Sequence, residues 1–169
     1  MRVVAPSTPA AFLSLALPLL VEDEAANCLP IGLATSLRDE PGLYDEARFW
    51  VVVDEDETPI AAALRTPPHN LVLARERVEG AIEHLAGAVD EASGVVGPQP
   101  ELDRFVAART TRTGETARVV LAEAIHVLET LVPAPAVNGA LDEVAEPDEE
   151  LVVEWLVAFA AEAAGDDDP

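Results

Sequence analysis

The amino-terminal part of the chain shows first a strand pattern and then a helical one. Residues 2–5, Arg2 followed by Val3, Val4 and Ala5, predict a short first strand. Ser7 or Thr8 is suited to cap a following helix, and Pro9 is tolerated in its first turn. The apolar side chains of this helix recur at helical spacing, at Phe12, Leu15, Ala16 and Leu19. We expect Pro18 to kink or end the helix, because proline lacks the amide that a helix uses.

A second helix is predicted to begin near Pro18 and to stop at Pro41 and Gly42. Its apolar positions are Ala25, Cys28, Leu29, Leu33 and Leu37. Cys28 is the single cysteine of the chain, which rules out an internal disulfide. We expect Cys28 to pack as a small apolar residue.

The clearest hairpin lies in residues 49–64. β-Branched and aromatic residues fill positions 49–53, the acidic residues 54–57 suit a turn, and residues 59–64 return. Pro67 and Pro68 then interrupt the second strand, because they remove two backbone donors. A short strand resumes over residues 70–74.

The centre of the chain alternates helix and strand signals. A helix is predicted from about residue 75 to residue 92, and residues 94–97 predict a short buried strand. Another helix opens at residue 100 and ends within residues 110–114. Residues 115–124 carry both helix-favouring and strand-favouring residues, whereas residues 125–132 predict a strand.

The last helix is predicted from the residues at its ends. Pro147 precedes it, acidic residues 148–150 complement its amino-terminal dipole, and Gly165 is expected to stop it. Its expected buried stripe is Val152, Trp155, Leu156 and Phe159. The element order predicts one α/β domain over residues 1–165, with a mixed sheet that is antiparallel first and parallel later, followed by an acidic tail over residues 166–169.

Charge changes this picture by excluding partners. The 169 residues include 32 Asp and Glu against 10 basic residues, giving a net charge of −22. This charge repels phosphate backbones and anionic lipid, which argues against nucleic-acid and membrane-surface binding. Half of the residues are hydrophobic, which excludes a disordered acidic chain. A hydrated carboxylate coat in a halophile, or a GC-rich genome that uses Arg in place of Lys, accounts for the acidity; a cation-binding or DNA-mimicking surface is the alternative.

Motifs for catalysis or metal binding do not emerge from the residues. His69, His84 and His126 lie far apart, and none has a second ligand at a metal-binding interval on one element. With 32 carboxylates, pairs suited to acid–base catalysis arise by chance. The apolar run over residues 10–21 contains Pro18 and is followed by acidic residues, which argues against a signal peptide and favours a cytoplasmic protein.

Residues 65–70 combine several chemical groups on one stiff loop. Arg65 offers a cation, Thr66 a hydroxyl, His69 an imidazole and Asn70 an amide, with two prolines between them. One interpretation is a rigid strand crossover, with Thr66 and Asn70 bonding to their own backbone. The other is a loop that contacts a ligand or another domain.

The same loop carries a family resemblance. The sequence Leu-Arg-Thr-Pro-Pro-His-Asn-Leu-Val-Leu, residues 64–73, resembles a stretch typical of the amino-terminal half of two-domain N-acetyltransferases of the GNAT superfamily. The likeness covers nearly the whole chain, in order, at Phe12-Leu13, Pro18, residues 23–25, Asn27, residues 94–97, residues 105–107, Val132-Pro133, Gly139, Asp148, Trp155, Phe159 and Glu162-Ala163. It implies a GNAT-like fold, with a mixed sheet that is antiparallel and then parallel and with helices on both sides.

Departures from the family pattern limit what the resemblance implies. The family binds the pyrophosphate of acetyl-CoA with a glycine-rich loop between the fourth strand and the next helix. Residues 74–80 stand in that position, with no glycine before the helix and with Glu76 at its start, so we expect them to block and repel the phosphates. Residues 140–142 lack the usual Arg, and His126 replaces a usual aromatic residue. No catalytic, cofactor-binding or metal-binding residue is therefore assigned.

The functional expectation follows from this resemblance. It implies the non-CoA-binding half of an N-acetyltransferase, which would help to form the acceptor cleft while the complete enzyme uses acetyl-CoA. We expect this chain alone to bind no cofactor and to be inactive. The expected partner is a carboxy-terminal GNAT half or a second copy of the chain. The alternatives are a stand-alone interaction or regulatory module with a degenerate GNAT fold and, third, a small-molecule-binding domain that uses residues 65–70.

Overall fold

A computed structural model describes residues 1–133, 135, 140 and 142–164. Its elements are β1 (Arg2–Val4), α1 (Pro9–Leu20), α2 (Cys28–Asp39), β2 (Arg48–Val53), β3 (Pro59–Arg65), β4 (Leu71–Leu73), α3 (Ala81–Ala88), β5 (Val95–Val96), α4 (Gln99–Thr113) and α5 (Glu149–Ala164). Single 3-10 turns lie at Val21–Asp23 and Glu146–Asp148. The chain divides into two compact units, Met1–Leu128 and Glu129–Pro169, and the predicted boundary at residue 165 lies outside the described residues.

One mixed sheet organises the first unit. Its strands lie in the order β1-β2-β3-β4-β5. The first three pairings are antiparallel, and β4 pairs with β5 in parallel. The α/β class and the change from antiparallel to parallel pairing are therefore confirmed.

The predicted hairpin is formed by β2 and β3. Trp50 pairs with Ala63 and Val51 with Ala62. In the connecting turn, the Asp54 carboxylate accepts hydrogen bonds from the amides of Asp56 and Thr58, both at 2.9 Å. This bonding explains why an acidic segment closes the hairpin, since aspartate side chains bond readily to backbone two residues ahead.

Helices cover both faces of the sheet. Alternation along β2 and β3 sends residues to opposite faces, so that each face buries its own apolar set. On one face α1 and α2 pack against the sheet, in a core of Phe12, Leu13, Ala16, Leu19, Leu20, Ala34, Leu37, Phe49, Val51, Val53, Ala62, Leu64, Val72 and Ala74. On the other face α3 and α4 pack against the sheet, in a core of Val52, Ile60, Ala61, Ala63, Leu71, Leu73, Ala81, Ile82, Leu85, Ala86, Val89 and Phe105.

The start of α1 is determined by a local capping residue, and its end is determined by packing. Thr8 caps the helix through its hydroxyl, which accepts from the Ala11 amide at 3.1 Å. The helix does not end at Pro18, as one prediction had it, but continues to Leu20. A proline near the end of a helix removes one hydrogen bond, and burial of Leu19 and Leu20 holds the last turn in place.

The second predicted helix begins later than expected and presents a different face. It starts at Cys28, and its buried residues are Pro30, Ala34 and Leu37. Cys28 itself is exposed, so the prediction that it packs as an apolar residue is wrong. The buried side chains instead follow the i, i+4, i+7 spacing that begins two residues after Cys28.

Residues 115–132 do not form the predicted strand. After α4 ends at Gly114, whose φ of +74° suits a glycine, these residues have no helix or strand. The strand predicted over residues 125–132 is wrong because a strand needs a neighbour, and no strand of the described sheet pairs with these residues.

In the second unit, α5 forms as predicted but its expected stripe is not buried. Trp155 is 64% exposed and Phe159 is 68% exposed. Within the described part of this unit, α5 is accompanied only by the turn Glu146–Asp148, so its unit offers no second layer to cover the stripe. None of the described helices has the length and apolar character that crossing a bilayer requires.

Substitution of Phe12 tests the helix layer on the first face. Its ring is fully buried and lies 5.1 Å from the ring of Phe49. Phe12→Ala is expected to lower the free energy of unfolding by about 3–5 kcal/mol, because it removes a large buried side chain and leaves a cavity. Leu17→Ala on the same helix is the control, since Leu17 is 40% exposed. Chemical denaturation measures both, and equal losses would contradict this assignment of the core.

Candidate functional site

The loop between β3 and β4 holds the four residues that the sequence singled out. Arg65 is the last residue of β3 and is only 7% exposed. Its Nε donates to the carbonyl oxygen of His69 at 3.1 Å, and its Nη1 donates to the carbonyl oxygen of Glu91 at 2.9 Å. Its Nη2 reaches the hydroxyl of Ser93 at 3.5 Å. Arg65 thus ties the loop to residues 91–93, through the carbonyl oxygen of Glu91 and the hydroxyl of Ser93.

The other three residues divide between the interior and the surface. Thr66 is buried, and its carbonyl oxygen accepts from the His69 amide at 2.9 Å in a tight turn. His69 and Asn70 are exposed. The imidazole of His69 meets the ring of Tyr44 edge to face, with ring centroids 5.6 Å apart. Arg65 and Thr66 therefore hold the loop, whereas His69 and Asn70 are the residues that a ligand or domain can reach.

Asn70 leads into a cleft of about 430 Å³ beside β5. Gly94 lies directly beside Asn70, because a Cβ atom at Gly94 would lie only 2.3 Å from the Asn70 side-chain oxygen, so a larger residue there would displace the Asn70 side chain. The cleft is lined by Asn70, Ala92, Ser93, Gly94, Val95, Val106, Arg109, Thr110, Glu115, Thr116, Ala117, Arg118 and Val120. Its walls are mixed, with hydroxyl, amide and charged groups beside apolar side chains.

Arg109 and Glu115 fix one end of this cleft. The buried Arg109 donates to the carbonyl oxygens of Val89 and Asp90, which follow α3, and its Nε donates to Glu115 at 2.9 Å. The hydrogen bond from Arg109 is the main cause of the lowered pKa of Glu115. Because Arg109 is used in joining α4 to the end of α3, we assign it a structural role.

The start of α3 is the position at which the resembled family binds the pyrophosphate of acetyl-CoA. Gly80 precedes the helix with a φ of +97°, so the expectation that no glycine stands before this helix is wrong. The helix begins at Ala81 rather than near residue 75. The Glu76 side chain is only 5% exposed, and its Oε2 accepts from the amide of Ile82, in the first turn, at 2.9 Å. A carboxylate of the chain itself therefore occupies a position where helices commonly bind anions.

The backbone amides before α3 also have partners within the chain. The Arg75 amide donates to the Asn27 side-chain oxygen at 2.8 Å, and the Arg77 amide to the carbonyl oxygen of Ile60 at 2.8 Å. The Glu76 amide donates to Glu101 Oε1 at 3.4 Å. Asn27 is fully buried and also bonds to the end of α1 at Leu20. The loop from β4 to α3 is thus fastened by its own neighbours.

Two glutamates, Glu76 and Glu83, pair with one guanidinium at this helix start, and a third, Glu101, lies beside Glu76. Arg104 of α4 pairs with Glu76, and its Nε lies 3.7 Å from Glu83 Oε1. Burial raises the pKa of Glu76, and the neighbouring Glu83 and Glu101 raise it further, against the lowering effects of the Ile82 amide and Arg104. Sequence reasoning placed Glu76 at this helix but missed Arg104 and Glu101, because their contacts join residues about one helix and one strand apart.

The three histidines lie on different parts of the structure. His84 lies on α3, His69 on the β3–β4 loop, and His126 in the segment that follows α4. Among the described residues, no group of three or more His, Cys, Asp or Glu side chains is placed to hold a metal ion.

Comparisons with known proteins leave the functional argument to this geometry. No protein-family model, curated protein or solved structure matches the chain. The fold, the loop of residues 65–70 and the start of α3 are therefore the observations from which a function is argued.

Substitutions of Arg65 and His69 should distinguish the residues that hold the loop in place from those that a ligand can reach. Arg65→Ala is expected to lower the free energy of unfolding by about 1–3 kcal/mol, because it removes the hydrogen bonds to the partly buried carbonyl groups of His69 and Glu91. His69→Ala, on the same loop, should leave stability nearly unchanged, because its side chain is exposed. Thermal and urea unfolding measure both. An Arg65→Ala protein as stable as wild type would show that Arg65 is free for a ligand.

Glu76 should give the protein a measurable pH dependence. Its pKa is raised above the ordinary value of 4.5, so the folded state binds the proton more tightly than the unfolded state does. The stability from this proton is present below the ordinary pKa and is lost as pH rises through the raised pKa. Glu76→Gln should therefore lose less stability than wild type between pH 4.5 and neutrality.

Glu79→Gln is the matched control for this experiment. It removes the same charge from the same loop, but Glu79 is exposed. Its pH profile should run parallel to that of wild type when the free energy of unfolding is measured by urea titration at several pH values. Identical profiles for Glu76→Gln and Glu79→Gln would contradict the effect of burial on Glu76.

Proposed function

We propose that this chain is a GNAT-like domain that corresponds to the amino-terminal, non-CoA-binding half of a two-domain N-acetyltransferase. The complete enzyme would transfer an acetyl group from acetyl-CoA to an amine. This half would help to form the acceptor cleft and would pack against the catalytic half. Alone it would have no acetyltransferase activity.

The fold supports the proposal in its general features. The resemblance implies a mixed sheet that is antiparallel and then parallel, with helices on both sides. The described sheet has this pairing order, and α1 with α2 and α3 with α4 cover its two faces. A fold alone does not establish an activity, so the start of α3 carries more of the argument.

The observation that carries the proposal is the Glu76 carboxylate on the Ile82 amide. An acetyl-CoA pyrophosphate bound at this helix would need the first-turn amides and the positive end of the helix dipole. Glu76 already uses an amide there, and its charge and that of Glu83 and Glu101 would repel phosphate. These residues do not fit the pyrophosphate, so we derive no catalytic step through acetyl-CoA in this chain.

The loop of residues 65–70 is the part that we assign to the acceptor side. Arg65 and Thr66 hold it in place, and His69 and Asn70 are left at the surface. A rigid loop with two exposed polar side chains is suited to contact an acceptor or a catalytic half without reorganising. Arg65, Thr66, His69 and Asn70 thus remain the proposed contact loop, with the direct contacts made by the last two.

The alternative is a stand-alone interaction or regulatory module that kept the fold and lost the enzyme. The exposed apolar residues after α4 favour it, because such surface commonly marks a protein contact. The gene sequence discriminates between the two. A reading frame that continues into an acetyl-CoA loop supports the half-enzyme, whereas a stop codon after residue 169 supports the module.

Charge limits the possible partners in both cases. A net charge of −22 disfavours nucleic acid and anionic lipid as partners. We propose a cytoplasmic protein whose partner is a carboxy-terminal GNAT half or a second copy of this chain.

Calorimetry with acetyl-CoA tests the assignment of the CoA site. The titration is made at about 1 M salt, where the Debye length is only about 3 Å, so that general repulsion does not mask binding. We expect the wild-type chain to show no micromolar binding of acetyl-CoA, because the Ile82 amide at the start of α3 already donates to the Glu76 carboxylate. Micromolar binding by wild type, weakened by pyrophosphate as a competitor, would overturn the proposal that this chain has no CoA site.

A further inference from the structure

The sheet of the first unit ends at β5, which has a free edge among the described residues. β5 contains only Val95 and Val96, and it pairs with β4 alone. Gly94 and Val95 line the cleft, so the start of β5 borders that space. Residues 116–118 and Val120, which follow α4, line the same cleft. An unpaired strand edge presents backbone groups that are ready to pair with another strand.

The segment that follows α4 has the composition of a strand with both faces covered. Over residues 119–128, large apolar side chains occur at odd and at even positions, so both faces of an extended chain would be mostly apolar, with Glu123 on one face and His126 on the other. Strands buried on both faces have such continuous apolar runs. In the described structure these side chains are 58–80% exposed, at Val119, Val120, Leu121, Ile125, Val127 and Leu128. We call residues 119–128 the apolar run.

The connection through α4 brings the apolar run to the correct edge. β5 leads into α4, a helix of 15 residues, and a strand followed by a helix of this length is the first part of a crossover unit. In such units the next strand returns to the same sheet beside the first. Thr110, in the last turn of α4, and Glu115, just after the helix, line the cleft together with Ser93 and Gly94, which precede β5. The apolar run therefore starts next to β5. Within the described residues of one chain, however, the run does not pair with β5, and the cleft separates the two.

Charge indicates what can fill this cleft. The whole chain carries a net charge of −22, so two copies repel each other over most of their surface. Residues 116–128 contain one Arg, one Glu and one His, so this stretch is close to neutral. Two copies can meet here without bringing carboxylates together. A second copy is also an occupant that offers a strand with both faces apolar.

We propose that the apolar run of one copy adds as a strand to the free edge of β5 in a second copy, and that the second copy does the same in return. Each run would fill the partner's cleft and pair with Val95 and Val96 through the backbone, in the manner of strand addition. The exchange is symmetric, as expected for a two-fold dimer. This proposal does not rest on the acetyltransferase assignment, and either can fail without the other.

Sedimentation of the full 169-residue chain tests the proposed dimer. We expect a concentration-dependent dimer that becomes tighter as NaCl is raised, because salt screens the repulsion between two acidic copies. Ala122→Pro removes a backbone donor from the run without removing apolar surface, and Val120→Asp adds a charge to it. Each should weaken the dimer by at least about tenfold. Leu29→Asp is the control, because Leu29 is an exposed apolar residue on α2 and should leave the dimer unchanged.

Hydrogen exchange then locates the contact. Amides of residues 95–96 and 119–128 should exchange more slowly in the concentrated dimer than in the diluted monomer, and Ala122→Pro should abolish this protection. Unchanged thermal melts of both run variants would show that the first unit remains folded.

Three results would overturn the proposal. The first is a chain that stays monomeric at every concentration and salt. The second is a dimer that survives both run variants. The third is protection of residues 119–128 that does not depend on concentration, which would mean that the run pairs within its own chain.

Discussion

Every residue of β3 is buried, and the rest of the first unit is arranged to cover it. A strand buried on both faces needs a helix layer on each side. The three consecutive alanines at residues 61–63 have small side chains that project little from the sheet, which lets helices approach from both sides. α1 and α2 cover one face with Phe12 as the largest fully buried side chain, and α3 and α4 cover the other face with Phe105.

Covering both faces determines where polar groups must find partners. The chain leaves β3 at Arg65, whose guanidinium is buried and must bond to carbonyl groups. α3 begins close to α4, and its first-turn amide is bonded by Glu76, which in turn pairs with Arg104. These contacts hold the chain at the loop of residues 65–70, where the sequence suggested a ligand or domain contact, and at the start of α3, where it suggested a blocked acetyl-CoA site. The surface that remains available for a ligand or partner then consists of His69, Asn70, the cleft and the residues after α4.

Local sequence signals predicted much of this fold. The β2–β3 hairpin followed from its apolar runs and acidic turn, and the start of α1 followed from the hydroxyl of Thr8, since both depend on residues close in sequence. The start of α3 was misplaced because the helix is capped by Glu76, whose partner Arg104 lies on another helix. The exposed run after α4 was predicted as a strand because its residues favour strands, but pairing depends on a neighbouring edge and not on propensity. The loop of residues 65–70 was found as a unit, but only the structure separates its buried residues from its exposed ones.

The Glu76 carboxylate occupies the start of α3, and the chemical shift of the Ile82 amide reports on this contact. NMR of the 15N-labelled chain at high salt follows this amide in two titrations, one with pH and one with pyrophosphate. We expect the Ile82 amide to shift as Glu76 titrates above pH 4.5, Glu76→Gln to remove this shift, and pyrophosphate to leave the amide unmoved. An Ile82 amide that is insensitive to Glu76 and moves saturably with pyrophosphate would show that the start of α3 is open to anions.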